Sequence, residues 1–230
     1  RRSSDLDLMK DTVKSDIRGN THLILRGGTV GNAFGGSNIN GNITGTITVD
    51  VDSTYNTNEC PWNVDYVYGG SNLAQYLPND STVTNHSPSP QVNILCGTVN
   101  NDVFGGGMGD SDVDTAGLVQ SNPQVVMSQT NKGNTWVKGS IYGGGSIAIT
   151  DGNTEVNISA GTVGVRGSAT TNGNVYGGGR GDASKIKAGL VKRNSTVNIA
   201  GGRVWHNVYG GGSLASVGTF TYGAVDRSTK

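Results

Sequence analysis

Six times along this chain a small or β-branched residue and an aromatic ring are followed by a run of glycines. The copies read AFGGS (33–37), VYGGS (67–71), VFGGG (103–107), IYGGG (141–145), VYGGG (175–179) and VYGGG (208–212). Their first glycines are Gly35, Gly69, Gly105, Gly143, Gly177 and Gly210, so the intervals are 34, 36, 38, 34 and 33 residues. A self-similar period of about 35 residues marks an array whose units each lack a core of their own and bury their apolar faces by stacking.

Within a unit the pattern is that of strands. Residues 195–213, STVNIAGGRVWHNVYGGGS, hold a short alternating run (Val197, Ile199), a Gly-containing turn and a second run ending at the aromatic residue; Val156 and Ile158, and Val92 and Ile94, occupy the same place in other units. Period-two alternation of β-branched residues is the signature of a half-buried strand. The glycine run is incompatible with a stable helix and suits a tight corner or a close backbone approach. Segments after each run, such as 72–90 and 180–193, differ in length and composition, as loops on a regular scaffold do.

The expected architecture is therefore all-β: a right-handed parallel β-helix, or β-solenoid, of about six coils over residues 20–224, rising about 4.8 Å per coil. A six-bladed propeller is the alternative, disfavoured because blades run to about 40–50 residues. Coil stacking predicts an aromatic ladder of Phe34, Tyr68, Phe104, Tyr142, Tyr176 and Tyr209. It also predicts an aliphatic ladder of Ala33, Val67, Val103, Ile141, Val175 and Val208, and a partial amide ladder of Asn32, Asn174 and Asn207 with Asp102 between them. The aromatic ladder reads in two ways: facing inward it is core, and facing outward its rings could grip sugar faces.

Cys60 and Cys96 each lie nine residues before a first glycine, Gly69 and Gly105. Equivalent sites in adjacent coils would fall within disulfide reach, so a Cys60–Cys96 bond is expected. Residues 1–19 form either an end cap, with Leu6, Met9, Val13 and Ile17 at helical spacing behind Ser4, or the tail of a preceding repeat. The chain opens RRSSDLDLMK without an apolar leader segment, and residues 225–230 stand where a further strand would begin. The expectation is a piece of a longer repeat protein, continuing past its last residue.

Chemistry is sparse. Lys plus Arg and Asp plus Glu number 17 each, so no net field favours nucleic acid or an anionic membrane. No run of apolar residues is long enough to cross a bilayer. His22, His86 and His206 are scattered in register, and no hydrolase, zinc or phosphate-loop motif is present. Asp110, Asp112 and Asp114 alternate in GDSDVD, a candidate loop calcium site, but Thr115 and Ser121 stand where an EF-hand needs Gly and Glu. Arg180–Gly181–Asp182 spells RGD; since GMGD at 107–110 holds the same place two repeats earlier, a shared Gly-x-Gly-Asp turn accounts for both.

Units of the form TVNIxGGxV…NVYGGG resemble the large repetitive surface and secreted proteins of gut Bacteroidota and Firmicutes, and the passenger domains of autotransporter-type adhesins. The resemblance covers roughly residues 20–213 and implies an extracellular or cell-surface location and a structural or adhesive role, with partners that are neighbouring repeats, a second copy at an open end, or a glycan or host surface. It implies no catalytic residue, cofactor-binding residue or metal ligand. The competing reading is a polysaccharide-binding or polysaccharide-degrading β-helix protein, for which the candidate carboxylates are Asp50, Asp52 and Asp110 to Asp114.

Overall fold

The computed structural model describes residues 16–56, 63–79, 89–130, 133–169 and 172–219. Among them there is no helix, and every pairing between strands is parallel. The chain winds in a solenoid-like path that returns to the same three lines in each repeat.

The first line is the stack of Thr21–Leu25, Ile47–Asp52, Gln91–Val99, Gln124–Met127, Thr154–Ile158 and Ser195–Ile199. Its register aligns Leu23, Val49, Val92, Val125, Val156 and Val197. The second line runs through Thr29–Phe34, Asn63–Tyr68, Val103–Phe104, Ile141–Tyr142, Val175–Tyr176 and Val208–Tyr209. The third is a row of single bridges joining Tyr76, Val119, Thr150, Val191 and Val217, with Ile17 bridged to Ile43 at the start. Strands therefore pair with their counterparts in neighbouring repeats and not within one repeat, which rules out the propeller's four-stranded blades.

Alternation decides what is buried. The inward residues of the first two lines, including Val49, Val92, Val125, Val156, Val67, Val103, Ile141 and Val175, form one continuous core. Outward residues on the first line pair across coils: Asn93 donates to Asp50 (2.7 Å), Gln124 to Glu155 (2.8 Å) and Asn198 to Asn157 (2.8 Å). Such cross-strand pairs are the sheet's counterpart of helical i, i+4 contacts.

The uneven repeat length is absorbed in corners. Val64 pairs with Val99 and Val67 with Val103, so one coil spans with three residue steps what the next spans with four. A longer excursion separates Val163 from Val175 on the same line. Loop closure grows slowly with length, so such insertions leave the ladders in register.

One expectation changes, and another falls mostly outside the described residues. Ile17, the last apolar position of the supposed cap helix, is a bridge partner of Ile43; the rest of that segment, residues 5–15, and the supposed truncated repeat at 225–230 lie outside the described residues. Cys96 is a buried free thiol, and the residue beside it in the preceding coil is Asp52, across a bulge after Val51. Counting back from the glycine run failed because that coil takes 13 residues from Val51 to Val64, whereas its neighbour takes 5 from Ile94 to Val99. Cys60 falls in the extra length and lies outside the described residues. The Cys96 thiol instead meets the Ser53 hydroxyl at 3.4 Å.

Candidate functional site

Three surfaces built by the repeats have chemistry to offer, and the aromatic stack comes first. Adjacent rings from Phe34 through Tyr68, Phe104, Tyr142 and Tyr176 to Tyr209 lie 4.7, 4.9, 4.9, 4.8 and 5.0 Å apart, with planes within 12° of parallel. From Phe34 to Tyr176 each ring follows an aliphatic residue that points into the central core, so alternation sends these rings to a separate cluster. That cluster is nonetheless buried, with Tyr68 at 4% exposure, Phe104 at 0% and Tyr142 at 4%. The rings therefore offer no open face to a sugar along the middle of the stack. Burial pushes the Tyr68 phenol up to about 12, against the pull of the nearby Arg180 charge. Burial likewise raises Tyr142.

Beside the rings runs a ladder of side-chain oxygens, each accepting a backbone N–H from the next coil. Asp102 accepts from Ser140 (2.8 Å), Ser140 from Asn174 (3.1 Å) and Asn174 from Asn207 (3.0 Å). The sequence pattern found Asp102, Asn174 and Asn207 but not Ser140; Asn32 pairs instead with Tyr66.

Arg180 reaches back two coils to this row. Its guanidinium lies 5.4 Å from the Phe104 ring centre and 3.8 Å from the Asp102 carboxylate. The arginine of the RGD tripeptide thus packs on the solenoid wall.

Burial raises the Asp102 carboxyl above its usual range, opposed by the Ser140 N–H and Arg180. A folded-state pKa above the unfolded one means the native state holds the proton more tightly, so the charged form costs stability at neutral pH and the cost fades as pH falls through the raised pKa. Asp102→Asn keeps an acceptor for Ser140 and removes the buried charge. The variant is expected to melt above the wild type at pH 7 and to lose that advantage near pH 4, as read by paired thermal melts.

The second surface is a clasp between two long turns. After their glycine runs, the third and fifth coils follow one course: Gly109 and Gly181 take φ of +81° and +79°, and Gly117 and Gly189 both take +67°. The Asp110 carboxylate accepts the Asp112 N–H, and that of Asp182 accepts the Ser184 N–H, each at 2.8 Å. The fourth coil, between them, takes a shorter course to Thr150 on the third line, so the two turns meet across it. Lys185 pairs with Asp112 at 2.6 Å and Lys187 with Asp114 at 2.5 Å. Two of the three carboxylates in the candidate calcium loop are therefore engaged by lysines. The candidate enzyme carboxylates are also separately engaged, Asp50 with His22 and Asn93 and Asp52 with Thr54.

The third surface was not legible in the repeat pattern. Trp136 stands outward on Thr135–Val137, in register with Thr98 and Thr162, and its indole N–H donates to the Gly164 carbonyl at 2.8 Å. Trp205 follows Arg203–Val204 two coils further on. An open groove of about 630 Å³ lies between them, lined also by Gln129, Asn134, Ser159 and Arg203. Cations sit against both indoles: Lys138 is 5.4 Å from the Trp136 ring centre, and Arg203 and Arg166 are 4.8 and 5.8 Å from that of Trp205. These separations fall within cation–π range. The signal available in the sequence was two tryptophans adjoining core valines, each with a basic residue two positions away; Trp62 lies outside the described residues.

Among the described residues no group of His, Cys, Asp and Glu could hold a metal ion. Scanned against protein-family models the chain matches none, and comparisons with curated proteins and with solved structures find no match either.

Proposed function

We propose that this chain is a structural and adhesive repeat module of a bacterial extracellular or cell-surface protein, wound as a right-handed parallel β-helix and able to stack end to end. Right-handed winding follows from the chirality of parallel crossovers, which twisted strands favour almost without exception. The location rests on the resemblance of the repeats to surface proteins.

The observation that carries the reading is the state of the last described coil. Ile199, Val208 and Tyr209 are 44%, 46% and 43% exposed, whereas their counterparts one coil earlier, Ile158, Val175 and Tyr176, are at 1%, 0% and 7%. A ladder residue at that end is open where its counterparts in the preceding coils meet a neighbour, and among the described residues no further strand pairs with that edge. Another coil laid on this edge would extend all the ladders, and neighbouring repeats of a longer chain or a second copy of this one would each bring matching ones.

Gly210 supplies a selective test. A Cβ added there meets nothing within 4 Å, whereas a Cβ at Gly177 falls 2.4 Å from the Gly210 carbonyl. Gly210→Ala should therefore leave a single chain intact and obstruct a coil placed on top of it. Sedimentation and negative-stain electron microscopy across a concentration series should show rods that lengthen with concentration for the wild type and rods of one chain for the variant. Wild-type rods of one chain at every concentration would remove the end-to-end part of the reading.

A further inference from the structure

We propose that the groove between Trp136 and Trp205 binds an anionic oligosaccharide laid along the solenoid axis. The inference rests on the adhesive part of the function proposed above and is independent of end-to-end stacking.

The geometry supplies direction. The groove draws Trp136 from the fourth coil, Ser159 and Thr162 from the fifth, and Arg203 and Trp205 from the sixth. A ligand filling it runs across successive coils, which rise about 4.8 Å each, a step comparable with the length of one pyranose ring. The two indoles bracket such a chain. Indole faces present large, rigid apolar area at little cost in side-chain entropy, which suits the C–H face of a sugar ring. Between them Gln129, Asn134, Ser159 and Thr162 offer amide and hydroxyl groups of both donor and acceptor character, matching sugar hydroxyls.

Charge supplies the class. No carboxylate lines the groove. Arg203 lines it and Arg166 lies against the Trp205 ring, and neither takes part in an ion pair among the described residues, whereas Lys138 donates to Asn100 of the third coil at 2.9 Å. Guanidinium groups recognise planar carboxylates and sulfates by paired hydrogen bonds, so an arginine beside a sugar platform selects an acidic sugar. A nucleic acid strand is the less favoured occupant, because the chain as a whole carries 17 basic and 17 acidic residues and lacks the extended positive track such strands need.

The test is isothermal titration of the purified chain with four probes: oligogalacturonate, a heparin-derived oligosaccharide, a neutral cello-oligosaccharide and oligo(dT). At least one of the two acidic sugars is expected to bind with an affinity that falls as salt rises, and the neutral sugar at least about tenfold more weakly, a factor equivalent to about 1.4 kcal/mol. Carboxylate and sulfate specificities are separated by the first two probes. Trp205→Ala and Arg203→Glu should each weaken the acidic sugar by at least about tenfold. Arg203 is exposed, so its variant keeps the test open should Trp205→Ala fold poorly. Absence of binding by both acidic sugars at millimolar concentration, equal binding of the neutral one, tighter binding of oligo(dT), or wild-type affinity in a folded Arg203→Glu overturns the proposal. Sedimentation of the same samples separates the two readings: rods that assemble without taking up sugar refute the groove assignment alone.

Discussion

Gly143→Ala is expected to unfold this protein or lower its melting temperature by about 10 °C or more, a loss above about 4 kcal/mol for a chain of this size. The first glycine of each of the first five runs donates its N–H to the carbonyl of the aromatic residue in the next coil, as Gly69 does to Phe104 at 2.8 Å and Gly105 to Tyr142 and Gly143 to Tyr176 at 2.9 Å. The second glycine repeats the arrangement, Gly106 to Gly144 and Gly144 to Gly178, both at 3.1 Å. Backbones thus approach as closely as their hydrogen bonds require, and the space a side chain would fill is taken. A Cβ on Gly143 would lie 2.3 Å from the Gly177 carbonyl oxygen, and one on Gly105 equally close to that of Gly143. The obstructing atom is backbone in a paired strand, so relief must come from parting two coils. Gly210→Ala alters the same position of the repeat where nothing stands within 4 Å, and its melting temperature should match the wild type, within about 0.5 kcal/mol. Thermal melts of the two variants side by side isolate steric crowding from any general cost of removing a glycine. Equal losses in both would refute the close-approach account.

The second large effect is expected from the aromatic stack. Phe104→Ala should cost about 3–5 kcal/mol, the range for truncating a buried aromatic residue. Phe104 has no exposed surface; Tyr68 and Tyr142 stack on its two faces, both at 4.9 Å, and Arg180 lies against it. The cavity cannot be filled by sliding neighbours, because each neighbouring ring is fixed by a coil whose spacing the backbone ladder sets. Phe104→Leu should recover part of the loss by restoring volume without the ring contacts. Denaturant unfolding of the three proteins checks the order wild type, Leu, Ala. Tyr209→Ala, at the open end of the stack, should cost distinctly less.

The periodic glycines and the alternating valines were enough to predict the stacking direction and the alignment of Val67 with Val103 and Tyr142 with Tyr176. Both patterns express constraints local to one unit: two residues per pleat, and no room for a Cβ where backbones touch. Corners carry no such constraint. Cys60 and Cys96 were matched by counting across one, and the structure places Asp52 beside Cys96 because the preceding coil is eight residues longer there, 13 against 5.

The candidate surfaces divide in the same way. Asp102, Asn174 and Asn207 were visible as a row because each precedes the aliphatic–aromatic pair directly, while Ser140 passed unnoticed as a different residue type doing the same work. The clasp joins Lys185 to Asp112 and Lys187 to Asp114 across 73 residues of sequence, a separation no local pattern encodes. Trp136 and Trp205 belong to the third surface for the same reason: each is one outward residue in its own coil.

By itself the sequence determined the repeat, its all-β character and which residues would stack, since period, alternation and glycine crowding act within a unit and between its identical neighbours. Only the tertiary structure decided which faces are open. It buried the aromatic stack, set Arg180 against Phe104 and joined two tryptophans into one groove, because exposure depends on what the irregular turns of other coils cover.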